Sequence, residues 1–174
     1  MKRENLRMMV EGSIMIALAL GFGIISKSLG LSLPQGGDIS IASLPIIVFA
    51  LRNGFKEGVG VGVTYSILNF ITDQNKFFHP VSIICDYLLI GIFLGVFGIK
   101  GKIHIKFILI YLAIFLSHFI SGVAVFGSFA PEGMNKLLYS FLYNISYVLP
   151  EAIIIATILF LFSKFTKILK KEEI

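Results

Sequence analysis

The chain has no tryptophan, one cysteine and few charges, 14% of its residues. A lone Cys85 excludes an internal disulfide and is too little for a zinc site. No HExxH, GxSxG, P-loop or pair of acids at hydrolase spacing occurs, so neither an enzyme nor an ATPase is expected, and no cofactor. No polar stretch is long enough for a second domain, so residues 1–174 read as one domain. The net charge is +5, but the basic residues lie in short loops and tails and build no groove-sized patch, which excludes nucleic acid as a partner.

Apolar residues dominate instead. They make up 56% of the chain, with 17 Phe, and mean hydropathy is +0.91. Runs of membrane-spanning length recur, which marks an integral membrane protein. Six spans are read: 8–26, 39–51, 58–72, 81–99, 105–126 and 137–165. None alternates with the period of barrel strands, so the fold class is all-α, a six-transmembrane-helix bundle in the lipid bilayer. The N-terminal Met1-Lys-Arg and its apolar run imitate a secretory signal. That reading is set aside, because further spans follow and the first is needed to even the count. The second and third spans are short, which predicts tilt or shielding of their ends by neighbours. With the N-terminus inside, the inner segments hold Lys2, Arg3, Arg7, Arg52, Lys56, Lys100, Lys102, Lys106, Lys164, Lys167, Lys170 and Lys171. The outer segments hold Lys27, Lys76 and Lys136. Twelve against three predicts that both termini are cytoplasmic.

Polar groups inside the spans carry the functional signal. Asp86 lies in the fourth span, about two turns past Pro80, and a carboxylate there costs several kcal/mol unless it has a partner. We expect it to form one wall of a site open to the outer face. With this topology Asp86, His118 and Asn144 reach the outer half of the bilayer from three successive spans. His118, Gly122 and Phe126 are spaced to share a helical face, with Ser121 alongside. The sixth span opens with Tyr139, Tyr143, Asn144 and Tyr147. Asn144, Tyr147 and Glu151 share a face, and Pro150 predicts a kink. Each has an ordinary structural use: a bonded His, an aromatic belt, an Asn joining helices, a Glu paired with a hydroxyl. Their convergence suits a small, flat, cationic ligand with hydrogen-bonding edges.

Other features are ambiguous. Ser13, Ala17 and Gly21 form a small-residue ridge on the first span, suited to internal packing or to docking on another membrane subunit. Glu11 lies near the inner interface and is expected to snorkel or pair with Arg7. The turn-rich loop 30–38 is a lid or, more simply, a connector. In the third span Gly58, Gly62, Tyr65 and Asn69 share one face.

Several stretches together resemble a known family: Pro34-Gln-Gly-Gly-Asp38, Pro45 through Leu51-Arg-Asn-Gly54, His79-Pro80 with Asp86-Tyr87, His118-Phe-Ile-Ser-Gly122, and Tyr139 with Tyr143-Asn144. Over nearly its whole length the chain resembles the thiamine-specific substrate-binding (S) component of energy-coupling factor (ECF) vitamin transporters, the ThiT family. The resemblance implies a multi-pass protein of the prokaryotic plasma membrane with an outward thiamine site at Asp86, Tyr87, His118, Phe126, Tyr139 and Asn144, which Tyr147 is expected to join from the face it shares with Asn144. It implies that Ser13, Ala17 and Gly21 contact the transmembrane coupling subunit, that two cytoplasmic ATPases complete the complex, and that toppling in the membrane releases the ligand. Phe126 stands where the family offers a Trp, and Asp86 where a Glu is expected. The alternatives are an S component for a related vitamin or a pyrimidine precursor of thiamine, a proton-coupled carrier relaying through Asp86, His118 and Glu151, and a structural subunit without a ligand.

Overall fold

A computed structural model describes residues 3–73 and 77–165. Lys2, Lys76, Lys167, Lys170 and Lys171, counted above for orientation, lie outside the described residues, as does the side chain of Lys164. The architecture is a bundle of six helices: α1 (Arg3–Ser28), α2 (Ser43–Asn53), α3 (Phe55–Thr72), α4 (Pro80–Val96), α5 (Ile103–Ala124) and α6 (Lys136–Phe165). Three of them, α1, α5 and α6, are long and apolar enough to cross a membrane unaided. Among the described residues the only extended pairing is an isolated bridge between Ser32 and Asp38.

Helix α2 is the centre of the core. Ile46, Ile47, Phe49 and Ala50 are at most 1% exposed. With 11 residues it is roughly 16 Å long, about half the hydrocarbon thickness. The sequence placed its start at residue 39, but the helix begins at Ser43, and residues 39–42 run as irregular chain. Non-helical backbone at this depth is tolerable where protein or a cavity shields it from lipid. Both conditions hold here, because Ile39 packs on the core and Ser40 and Ala42 line a cavity.

Helices α3 and α4 meet backbone to backbone. A Cβ added to Gly62 would strike the carbonyl of Gly91, one on Gly91 would strike that of Gly62, and one on Gly95 would strike Val59. These glycines permit an approach that any side chain would prevent. The face predicted for the third span is the packed one, with Gly58, Gly62 and Tyr65 buried. Gly54, at φ +98°, makes the sharp break that lets α3 follow α2 directly. On α1, Glu11 pairs with Arg52 of α2 at 3.2 Å, not with Arg7. The pairing crosses between helices because Gly12 presses against Phe49 and Val61, turning that face of α1 inward.

Candidate functional site

A cavity of ≈ 760 Å³ opens at one end of the bundle. It lies where α1, α3 and α5 end and where α2, α4 and α6 begin. The seven residues that the sequence put in a ligand site, Asp86, Tyr87, His118, Phe126, Tyr139, Asn144 and Tyr147, all line it.

The start of α4 is built to present Asp86. His79 caps it, its Nδ1 accepting from the Val81 amide at 3.2 Å, and Pro80 takes the first helical position, where no donor is needed. From Ile83 to Leu88 the helix widens to a π turn, with the Leu89 amide bonded to the Ile84 carbonyl five residues back. Such widened turns tend to occur at functional sites. Asp86 Oδ2 accepts from Ser82 Oγ at 2.6 Å and from Ser121 Oγ at 2.5 Å, and His118 Nδ1 is 3.0 Å from Oδ1. The acid and imidazole from separate helices therefore meet, and the carboxylate points into the bundle.

Asn144 lies on the facing side. Its Nδ2 donates to the Ser140 carbonyl at 2.8 Å, and its Oδ1 accepts from the Tyr147 hydroxyl at 2.7 Å. The Tyr147 ring stands edge-on to His118, centroids 5.6 Å apart. Helix α5 comes close here because Gly122 has no side chain: an added Cβ would lie 2.8 Å from Asn144 Nδ2. Phe126 departs from expectation. Helix α5 ends at Ala124, so Phe126 opens a short 3₁₀ turn (Phe126–Phe129) and does not continue the face of His118 and Gly122. It reaches the cavity from that turn, against Phe77 at 5.3 Å between centroids. Helix α6 runs on through Pro150.

The loop at 30–38 sits over this space. The Tyr143 hydroxyl donates to the Gly36 carbonyl at 2.8 Å and accepts from the Gln35 amide at 3.0 Å. Gly37, at φ +85°, lies so close to the Tyr147 ring that a Cβ would be 2.7 Å from it.

Sequence reasoning put none of Lys27, Asp38, Asp73 and Ser82 in the ligand site, yet all four line the cavity. Lys27 Nζ is 2.8 Å from Asp73 and 3.8 Å from Asp38, and the Tyr87 hydroxyl donates to Asp73 at 2.8 Å. These are residues at element ends, where charge is ordinary, so no single-residue signal marked them. Ser82 had one: it sits four residues before Asp86, within reach on a helix. Glu151 accepts from Ser43 Oγ at 2.8 Å, the hydroxyl pairing that the sequence allowed.

The small-residue ridge faces outward. Ser13 and Ala17 are exposed, and nothing lies within 4 Å of a Cβ built on Gly21. Internal packing, one of the two uses expected of it, is not what it does in this chain.

Residues 9–171 match the family described as Thiamine transporter protein (Thia_YuaJ). The thiamine transporter ThiT of Bacillus subtilis is 31% identical over 98% of this chain and 97% of its own length. That of Lacticaseibacillus paracasei is 24% identical over 82% of this chain and 80% of its own. The solved structure of ThiT from Listeria monocytogenes superposes with a TM-score of 0.81 at 22% identity, covering 96% of this chain and 98% of that one.

Proposed function

The chain belongs to the thiamine transporter protein family, and from that premise we propose that its cavity captures thiamine and that the loaded protein delivers it to an ATP-driven ECF uptake complex. The observation that carries the reading is the lining. Among the described residues four carboxylates, Asp38, Asp73, Asp86 and Glu151, face one lysine and one imidazole, Lys27 and His118, across walls that include Phe77, Phe126, Tyr139, Tyr143 and Tyr147. An excess of acids favours a cation, and aromatic faces attract one. Asn144 and His118 supply edges that can pair with an aminopyrimidine, and Phe126 and Tyr139 supply flat walls. A cavity of this size has ample room for one vitamin-sized molecule.

The basic residues support an outward-facing mouth. Arg52, Lys56, Lys100, Lys102 and Lys106 lie at the end opposite the cavity, the pattern of a cytoplasmic face. Coupling would use the outward ridge at Ser13, Ala17 and Gly21 to dock the transmembrane subunit, which two cytoplasmic ATPases would drive.

Mass spectrometry of the small molecules that co-purify with the protein tests the ligand, followed by calorimetry with thiamine and its free pyrimidine precursor. Thiamine in the purified sample and tighter binding than the precursor is the expected result. Precursor alone, or another vitamin, would reassign the site. A proton-coupled carrier draws its support from the Asp86–His118 contact. Uptake into liposomes driven by a pH gradient without any ATPase would favour that reading.

A further inference from the structure

We propose that Glu151 answers the fixed positive charge of the ligand, and that the carboxylate of Asp86 chiefly sets hydrogen-bond geometry. The inference rests on thiamine capture and sharpens it. Among the described residues four acids line the cavity, and three of them have a basic side chain nearby. Asp73 and Asp38 share Lys27, at 2.8 and 3.8 Å. Asp86 has His118 at 3.0 Å and two hydroxyl donors on its other oxygen. Glu151 differs. It accepts from Ser43 Oγ, which in turn lies 3.3 Å from the Tyr111 hydroxyl. Both of these groups are neutral. Among the described residues no Lys, Arg or His comes within ion-pair distance of Glu151.

A carboxylate this far inside a bundle is expensive without a counter-charge. Glu151 is seven residues beyond Asn144 on α6, so it lies roughly 10 Å deeper along the helix axis. Its partner Ser43 is the first residue of α2, the helix whose late start leaves the cavity its depth. The hydroxyls of Ser43 and Tyr111 hold the carboxylate in place without cancelling its charge. An organic cation entering the cavity supplies what is missing. Charge attraction at low dielectric reaches several ångströms beyond contact, so Glu151 selects for a cationic ring over a neutral ring of the same outline.

The test is calorimetry on the detergent-purified full chain with two ligands: thiamine, and an isostere whose thiazolium is replaced by an uncharged ring. Glu151→Gln keeps an acceptor for Ser43 and removes the charge. The expected result is a loss of about tenfold or more for thiamine and less than about threefold for the neutral isostere. Equal losses for both ligands, or no loss for either, would overturn the assignment. Should Glu151→Gln fail to fold, Glu151→Asp is measured with the same pair. Its shorter side chain withdraws the charge, and an unchanged preference for the cation would overturn the assignment equally. Wild-type protein that does not bind thiamine would overturn the capture reading itself. Wild-type binding with an unaltered ligand ratio in the variants would overturn only the role of Glu151.

Discussion

Asp86 holds its position through three donors drawn from two helices, Ser82 on its own and Ser121 and His118 on α5. Replacing it by Asn removes the charge and puts an amide nitrogen where an oxygen accepted, so the groups on that side can no longer donate to it and the charge-assisted bonds are weakened. We expect Asp86→Asn to weaken thiamine binding at least about tenfold, or about 1.4 kcal/mol, with helix content by circular dichroism unchanged; wild-type affinity in calorimetry would reject a site role for the acid. Asn144→Ala removes the acceptor of the buried Tyr147 hydroxyl. A loss of similar size is expected, partly because Tyr147 then points less surely at His118. Gly122→Ala tests the same corner by addition. Its Cβ would crowd Ser140 and Asn144, and overpacking of this kind costs about 1–3 kcal/mol, read as a lowered melting temperature. That Asp86, His118 and Asn144 face one cavity was legible in the sequence because each is costly in lipid and so stands out from an apolar run. The cluster of Lys27, Asp38 and Asp73 was not. Charges at helix ends and in loops are ordinary, and their proximity depends on where three separate elements stop.

At the scale of helices, periodicity and hydropathy carried the number and order of the elements, but not their ends. Helix α1 extends beyond the expected span on both sides, because its polar first and last turns are still helical. Residues 39–42 are as apolar as a helix start, yet hydropathy cannot separate a lipid-facing helix from irregular chain shielded by protein. The π turn at Ile83–Leu88 left no trace in residue pattern either, since it is a property of the backbone, whose Cys85 carbonyl accepts from Ser117 Oγ on α5 at 2.7 Å. The α3–α4 seam, by contrast, was half visible: the glycines of α3 were noticed, and their partners Gly91 and Gly95 complete the contact. Gly62→Ala should destabilise strongly, because its Cβ meets a backbone carbonyl that cannot move aside. Gly60→Ala is the control, since nothing lies within 4 Å of a Cβ there, and alanine favours helix. Thermal unfolding in detergent should show a large drop for the first and none for the second. Equal behaviour of the two would mean that the seam is loose.

The molecule as a whole separates its tasks by surface. One end holds the cavity, the opposite end carries a band of basic residues, and one flank of α1 presents a strip without large side chains. Ser13, Ala17 and Gly21 are set one turn apart on that flank, beside exposed Leu6, Val10, Ile14 and Leu18. Lipid alone does not call for small residues, because chains of any size pack against acyl tails; close approach of another helix does. The resemblance seen in the sequence supplied the idea of a partner, and the outward orientation removes the competing use in internal packing. Ser13 and Ala17 are not among the cavity-lining residues, which on α1 begin at Leu20, so binding and uptake should separate on mutation at Ala17. Ala17→Phe places a large ring on the strip at a residue that is not part of the cavity lining. We expect thiamine affinity within about threefold of wild type, and at least a tenfold or so fall in ATP-driven uptake when the protein is reconstituted with coupling subunit and ATPases. Uptake at the wild-type rate would place the docking face elsewhere on the bundle. Parallel loss of binding would mean that α1 and the cavity are mechanically one unit.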